Sequence, residues 1–365
     1  MKSIKISLLF VTLGVITFTS CSKKGTVNPV VPVVPGVLTV TTLAGSTTIG
    51  HQDGVGAAAG FNNPSSVVIG SDGILYVGDW ANNLVRKINT STAAVTTFAG
   101  AVAPGYADGP LASAKFNGTA NIVFDRSGDL FVADEENNMI REITTTGNVI
   151  TIAGSGAQGS ADGIGTAASF YHPEGMVIDA SGNLYVADNN NTIRKINLAT
   201  KQVTTYAGTG VRGFNNGPVA SATFSSPYGL AMDSNGDIYV GDIVNNCIRK
   251  ISVSTGVVST FAGTGTQGLS NGPAASATFY FPAGVAFDSK GNLFVAELKN
   301  NTIRKIATDG TVSTYAGTGL KGSTDGAATT ASFSQPIAVT IDGSGNVFVA
   351  DEYNSEIREI SLKQP

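Results

Sequence analysis

Six arginines recur along this chain with a period that few folds accommodate. Arg86, Arg141, Arg194, Arg249, Arg304 and Arg358 lie 55, 53, 55, 55 and 54 residues apart. Each sits in a version of one phrase, of which "LYVADNNNTIRKI" at Leu184 to Ile196 is a copy: an apolar strand, an acid, an Asn-rich turn and a strand centred on arginine. Upstream, every unit has a strand ending in Ala-Gly, a loop with Asp-Gly or Asn-Gly, and a phenylalanine usually followed three residues later by proline. A short apolar strand and a glycine turn complete it. This makes four short strands in about 50 residues, the signature of sheets stacked radially around a channel. Composition agrees, because 45 glycines and only 13% charged residues favour turns and strands over long surface helices.

The phase of the repeat fixes how the ring closes. With the strands of a unit labelled a to d, the folded region opens on a lone d strand, "VLTVTTLAG" at Val37 to Gly45, and ends on a lone c strand, "EIREI" at Glu356 to Ile360. The expectation is an all-β, six-bladed β-propeller of four-stranded blades over 37–365, closed by the N-terminal strand completing the last blade. The "GNLYVAD..NNTIRKI" pattern resembles the NHL repeat, and six copies make the whole span similar to a six-bladed NHL propeller. That resemblance implies a fold and leaves function open, because relatives include protein and RNA binders, lyases and lactonases.

Most of the repeat reads as architecture. The acid closing strand b precedes the repeat arginine by six or seven positions, which sets them side by side across a tight hairpin. Structural ion pairs are expected for Asp79 with Arg86, Asp134 with Arg141, Asp188 with Arg194, Asp242 with Arg249, Glu297 with Arg304 and Asp351 with Arg358. The Asn pairs suit the turn, since Asn tolerates left-handed backbone.

Function is therefore sought where the copies differ, on the channel-mouth loops joining strands b to c and d to a. The ligand-binding rim expected there comprises Trp80, Glu135, Glu174, Tyr228, Tyr353, His172 and Tyr280. Aromatics with acids suit a protein or glycan ligand, and a net charge of -4 without basic runs gives no surface for nucleic acid. Two histidines are too few for the zinc site of the peptide-amidating lyases in the superfamily. Lactonase-like relatives imply instead a channel ion, with Glu174 and Asn121 as candidate ligands and Ca²⁺ as the possible ion. No catalytic residue is assigned and no cofactor is expected under the binding reading, which is favoured over an enzyme. The propeller is expected as a monomer.

The N-terminus points to export. Lys2 and Lys5 precede an apolar stretch, Ile6 to Phe18, that is too short to span a membrane as a helix. Residues 1–20 read as a signal peptide. "TSCSKK" resembles the lipobox of bacterial lipoproteins, with Phe18 departing from the usual aliphatic residue, so Cys21 is the expected lipidation site and plain cleavage the alternative. Residues 21–36 then form a lipidated, Pro-rich linker, and the protein is expected in the bacterial cell envelope, held at the membrane through its lipid alone. Cys247 would be the remaining thiol, unpaired and structural.

Overall fold

The computed structural model describes residues 36–363, and these form six sheets arranged as a six-bladed β-propeller. The leader, Cys21 and nearly all of the linker lie outside the described residues. Among the described residues no helix is long and apolar enough to cross a membrane.

Blade one shows the common plan. Strand a, Pro64–Ile69, lies innermost, followed outward by b, Ile74–Asp79, c, Leu84–Asn89, and d, Ala94–Gly100. The a strands of successive blades pack on one another around the axis. In blades three to five this approach is tight enough to demand glycine: a Cβ on Gly229 would stand 2.5 Å from the Ala283 carbonyl oxygen and 2.8 Å from Gly284 Cα. Strand b is buried along nearly its whole length because a neighbouring blade covers each face, so its β-branched and aromatic residues run continuously instead of alternating with polar ones.

The blades carry five strands, which corrects the four expected. The loop leading into each blade lays a two-residue strand, Gly54–Val55 in blade one, against the outer edge of strand d in that same blade. Such pairing covers the edge that a propeller would otherwise leave bare. Proline follows the glycine in three of these strands, at Gly109–Pro110, Gly217–Pro218 and Gly272–Pro273. An outermost position tolerates it, since no further strand needs the missing N–H.

Blade six closes the ring. Val37–Gly45 pairs antiparallel with Glu356–Lys363, in a register running from Val37 opposite Lys363 to Gly45 opposite Glu356. The chain's first and last described strands thus share one sheet, in the order Gly326–Ala327, Val37–Gly45, Glu356–Lys363, Val347–Asp351, Pro336–Ile341.

Each repeat arginine is a buried tie between strand and loop. Arg86 Nη1 donates to Asp79 Oδ2 at 3.0 Å and Nη2 to Asp53 Oδ1 at 2.9 Å, while the guanidinium lies 5.2 Å from the Phe61 ring centre. Comparable ties to the strand-b acid occur at Arg141, Arg194, Arg249, Arg304 and Arg358, over 2.6 to 3.2 Å. The second partner is the loop Asp or Asn: Asp108, Asp162, Asn216, Asn271 or Asp325. Sequence spacing identified the inner acid and missed the outer one.

The Asn cluster has two tasks. The second Asn closes the b–c turn in left-handed backbone, with φ of 58° at Asn83 and 50° at Asn246. Its side-chain oxygen also accepts an N–H from the next blade: Gly118 to Asn83 at 2.8 Å, His172 to Asn138 at 3.0 Å, Ser226 to Asn191 at 3.1 Å. In blade six the position is Ser355, and the seam carries an Asn63 to Glu352 hydrogen bond at 3.3 Å instead. Cys247 is fully buried and unpaired, and burial pushes its thiol pKa up.

Candidate ligand site at the channel mouth

Strand b ends and strand a begins at the same end of the propeller, as Pro227 opposite Asp242 shows. Two tiers of residues lie at that end. One is the second residue of each a strand: Ser65, Ala120, Glu174, Tyr228, Ala283 and Ile337. The other is the residue just after each strand-b acid: Trp80, Glu135, Asn189, Ile243, Leu298 and Glu352. Neither tier keeps one residue type around the ring, although Ala occurs twice in the first and Glu twice in the second. A cavity of about 160 Å³ opens between them, lined by Ser65, Trp80, Glu135, Glu174, Tyr228, Ile337 and Glu352.

The structure brings together four of the expected rim residues, Trp80, Glu135, Glu174 and Tyr228. His172 stands beside them, its Nδ1 3.2 Å from Glu135 Oε1 and 3.7 Å from Glu136 Oε1. Tyr353 lies elsewhere, exposed, with Lys321 Nζ 5.6 Å from its ring centre. Tyr280 packs edge-on against Phe281 at 5.2 Å and lines no part of the cavity. Glu352, one residue before Tyr353, takes the place at the axis. Its turn explains why: Glu352–Asn354, like Trp80–Asn82, is a single 3-10 turn whose first residue faces inward.

Hydrogen bonding divides the three acids. Glu135 is held from both sides, by Trp80 Nε1–H at 2.5 Å on Oε2 and by His172 on Oε1. Glu352 Oε1 accepts from Asn63. Glu174 is nine-tenths buried and takes no hydrogen bond. No lysine or arginine lines the cavity. Burial therefore pushes Glu174 well above the usual carboxylate range, reinforced by the charges of Glu135, Glu352, Glu136 and Asp188. Burial likewise takes Glu352 up to about 7, against the pull of Asn63 and Lys299, and raises Glu135. The Tyr228 hydroxyl is raised by burial and by the same acids.

These raised acids set a sign for stability. An acid whose folded pKa lies above its unfolded value contributes stability fully at low pH and loses it as pH rises through the folded value. For Glu352 that window runs from its ordinary 4.5 to about 7. Glu352→Gln, which is neutral at every pH, is expected to match wild type near pH 4 and to be more stable by about 1 kcal/mol or more near pH 8 in urea unfolding. A gain of equal size at both pH values would contradict this.

The residues available to a divalent ion are differently placed. Asn121 Oδ1 accepts the Met176 N–H at 3.0 Å and its amide reaches Ser66 Oγ at 3.4 Å, so this side chain links three blades. Glu174 and Asn121 thus form no converging pair. Among the described residues, the group with metal-ligand spacing is Glu135, Glu136 and His172, whose ligand atoms lie within 4.8 Å of one another.

A larger cavity of about 690 Å³ lies between blades four and five at the opposite end. Its wall is Tyr239 edge-on to Phe261 and Phe287, with Lys250 Nζ 5.1 Å from the tyrosine ring centre. Blades one and two repeat it as Tyr76, Phe98, Phe124 and Lys87. Recurrence marks that wall as frame, which favours the smaller, non-repeating cavity as the ligand site.

A family model described as NHL repeat matches residues 170–192, 224–251 and 279–306. The chain carries NHL repeats. Protein SUPPRESSOR OF QUENCHING 1 of Arabidopsis thaliana is 29% identical over 274 residues, covering 70% of this chain and 26% of that protein, so the chain spans about a quarter of this relative's length. Among solved structures, an auxiliary nutrient binding protein from Bacteroides ovatus superposes on the NHL propeller with a TM-score of 0.69 at 16% identity, covering 90% of this chain and 77% of the other. A gluconolactonase from Xanthomonas campestris superposes with a TM-score of 0.58 at 13% identity, covering 92% of this chain and 99% of the other. At these identities the likeness is one of fold.

Proposed function

We propose that this NHL propeller is a ligand-binding module of the bacterial envelope that seats a polar group, presented by a glycan or a protein, in the channel-mouth cavity. The observation that carries the reading is Glu174: a nine-tenths buried carboxyl group that accepts no hydrogen bond from the protein and lines a cavity whose wall varies from blade to blade. Its carboxyl opens to the cavity with hydrogen-bonding capacity that no protein group uses, and a ligand seated there can use it. The fold shared with a nutrient-binding protein of Bacteroides ovatus supports a binding role.

Glycan and peptide arrays probed with the tagged propeller test the reading. Hits are expected to weaken by about 30-fold or more with Trp80→Ala, as for a central aromatic anchor, and to persist with Tyr353→Ala. Hits that survive Trp80→Ala would refute the site. Tethering through Cys21 is part of the same proposal; metabolic labelling with a palmitate analogue should mark wild type and not Cys21→Ser.

A divalent-cation hydrolase is the second reading, favoured by the Glu135, Glu136 and His172 grouping. In that group both Glu135 oxygens already face Trp80 or His172. One equivalent of calcium or zinc retained by purified protein after dialysis would give this reading precedence.

A further inference from the structure

We infer that the group seated in the channel mouth is an organic ammonium, held against the Trp80 and Tyr228 rings with its charge opposite Glu174. The inference rests on the binding reading above and specifies its ligand class. Three carboxylates from blades two, three and six, Glu135, Glu174 and Glu352, line one cavity that has no cationic side chain in its wall. Arginine answers each of the six fully buried strand-b acids of the frame, at 2.6 to 3.2 Å. At the channel mouth three acids cluster with no lysine or arginine in the cavity wall, and Glu174 among them is nine-tenths buried, so a positive charge from outside would complete the site.

The shape of the site selects an organic cation over a metal ion. Glu174 and Glu352 belong to no group whose ligand atoms come within 4.8 Å, so the acids surround a space instead of converging on a point. That space is about 160 Å³. It admits a substituted ammonium head group, which a bare ion would leave mostly unfilled. Aromatic rings and carboxylates together are the surroundings in which such a cation is stabilised, by the ring face and by charge at once. The partners already present sharpen the assignment. Trp80 and His172 hold Glu135, Asn63 holds Glu352, and Glu174 keeps both oxygens free for N–H donors or a methylated nitrogen.

Trp80 is the only tryptophan in the chain, so intrinsic fluorescence reports directly on the cavity. The probes are choline and glucosamine, each against its uncharged counterpart, 3,3-dimethylbutan-1-ol and glucose, with calcium chloride as a further arm. Near pH 8, the ammonium compounds should bind about tenfold or more tightly than their counterparts, as a charge-assisted contact implies. Glu174→Gln should erase that preference and leave the uncharged probes within about twofold. Its fold is checked by circular dichroism and urea unfolding, where it should equal or exceed wild type. Equal binding of charged and uncharged probes, an unchanged preference in Glu174→Gln, a saturable response to calcium with none to choline, or no response to either ammonium compound would each overturn the inference. The two proposals fail separately: array hits that are uncharged yet depend on Trp80 would retain the binding site and discard the ammonium.

Discussion

Replacing Arg249 with methionine is expected to cost the propeller about 3–5 kcal/mol of unfolding free energy, the usual result of orphaning one member of a buried ion pair. The Arg249 side chain is fully buried. Its Nη1 donates to Asp242 Oδ2 and to the Thr223 carbonyl, both at 2.9 Å, and its Nη2 to the Asn215 carbonyl at 3.0 Å and Asn216 Oδ1 at 2.7 Å. Methionine fills part of the volume and answers none of these acceptors. Asp242 would be left as an uncompensated buried charge, held only by Ser225 N–H and Asn245. Adding Asp242→Asn should recover part of the loss by removing that charge. The adjacent Lys250 is the control: it pairs with Asp237 at 2.8 Å but remains partly exposed, so Lys250→Met should cost at most about 1 kcal/mol. Urea unfolding decides between them. Equal costs at the two positions would mean that the repeat arginines do not tie the blades.

Deleting residues 37–45 should have a still larger effect and abolish cooperative folding of the whole domain. This strand contributes Val40, Leu43 and Ala44 to the buried core and pairs along its length with Glu356–Lys363 on one side, touching Gly326–Ala327 on the other. Burial of the two larger side chains is worth about 1.5–3 kcal/mol each, and each lost ladder hydrogen bond about 0.5–1.5 kcal/mol. Together these approach the 5–15 kcal/mol typical of an entire domain. The deletion also bares an edge strand that can pair with other chains. A truncated protein that stays soluble and melts at the wild-type temperature would show that ring closure does not hold the molecule together.

The repeat arginines made the blade count and the phase of closure readable from sequence, because each marks the same position in the same strand. The fifth strand was not readable. Pairs such as Gly54–Val55 and Gly109–Pro110 have no alternation and resemble loop, and only the returning path of the chain brings them to the edge. The second Asn of each turn was read for its backbone and not for its side chain, whose inter-blade acceptor role depends on a neighbour about 35 residues away. At the channel mouth, the sequence pointed to the loops that line the cavity but could not choose within a pair. Glu352 and Tyr353 both sit at positions that vary between blades, and the short 3-10 turn turns the acid inward and leaves the aromatic outside. The usable signal was positional: residues directly after the strand-b acid form one tier, and Trp80, Glu135 and Glu352 all occupy it.

The central claim is that the repeats build a frame and that ligand is taken where they fail to repeat. Amide chemical-shift mapping on labelled protein with a ligand drawn from the array hits tests this most directly. The account predicts perturbations clustered on Trp80, Glu135, Glu174, Tyr228 and Glu352. Perturbations centred instead on Met232, Tyr239, Phe261 and Phe287, at the larger cavity of the opposite end, would contradict it.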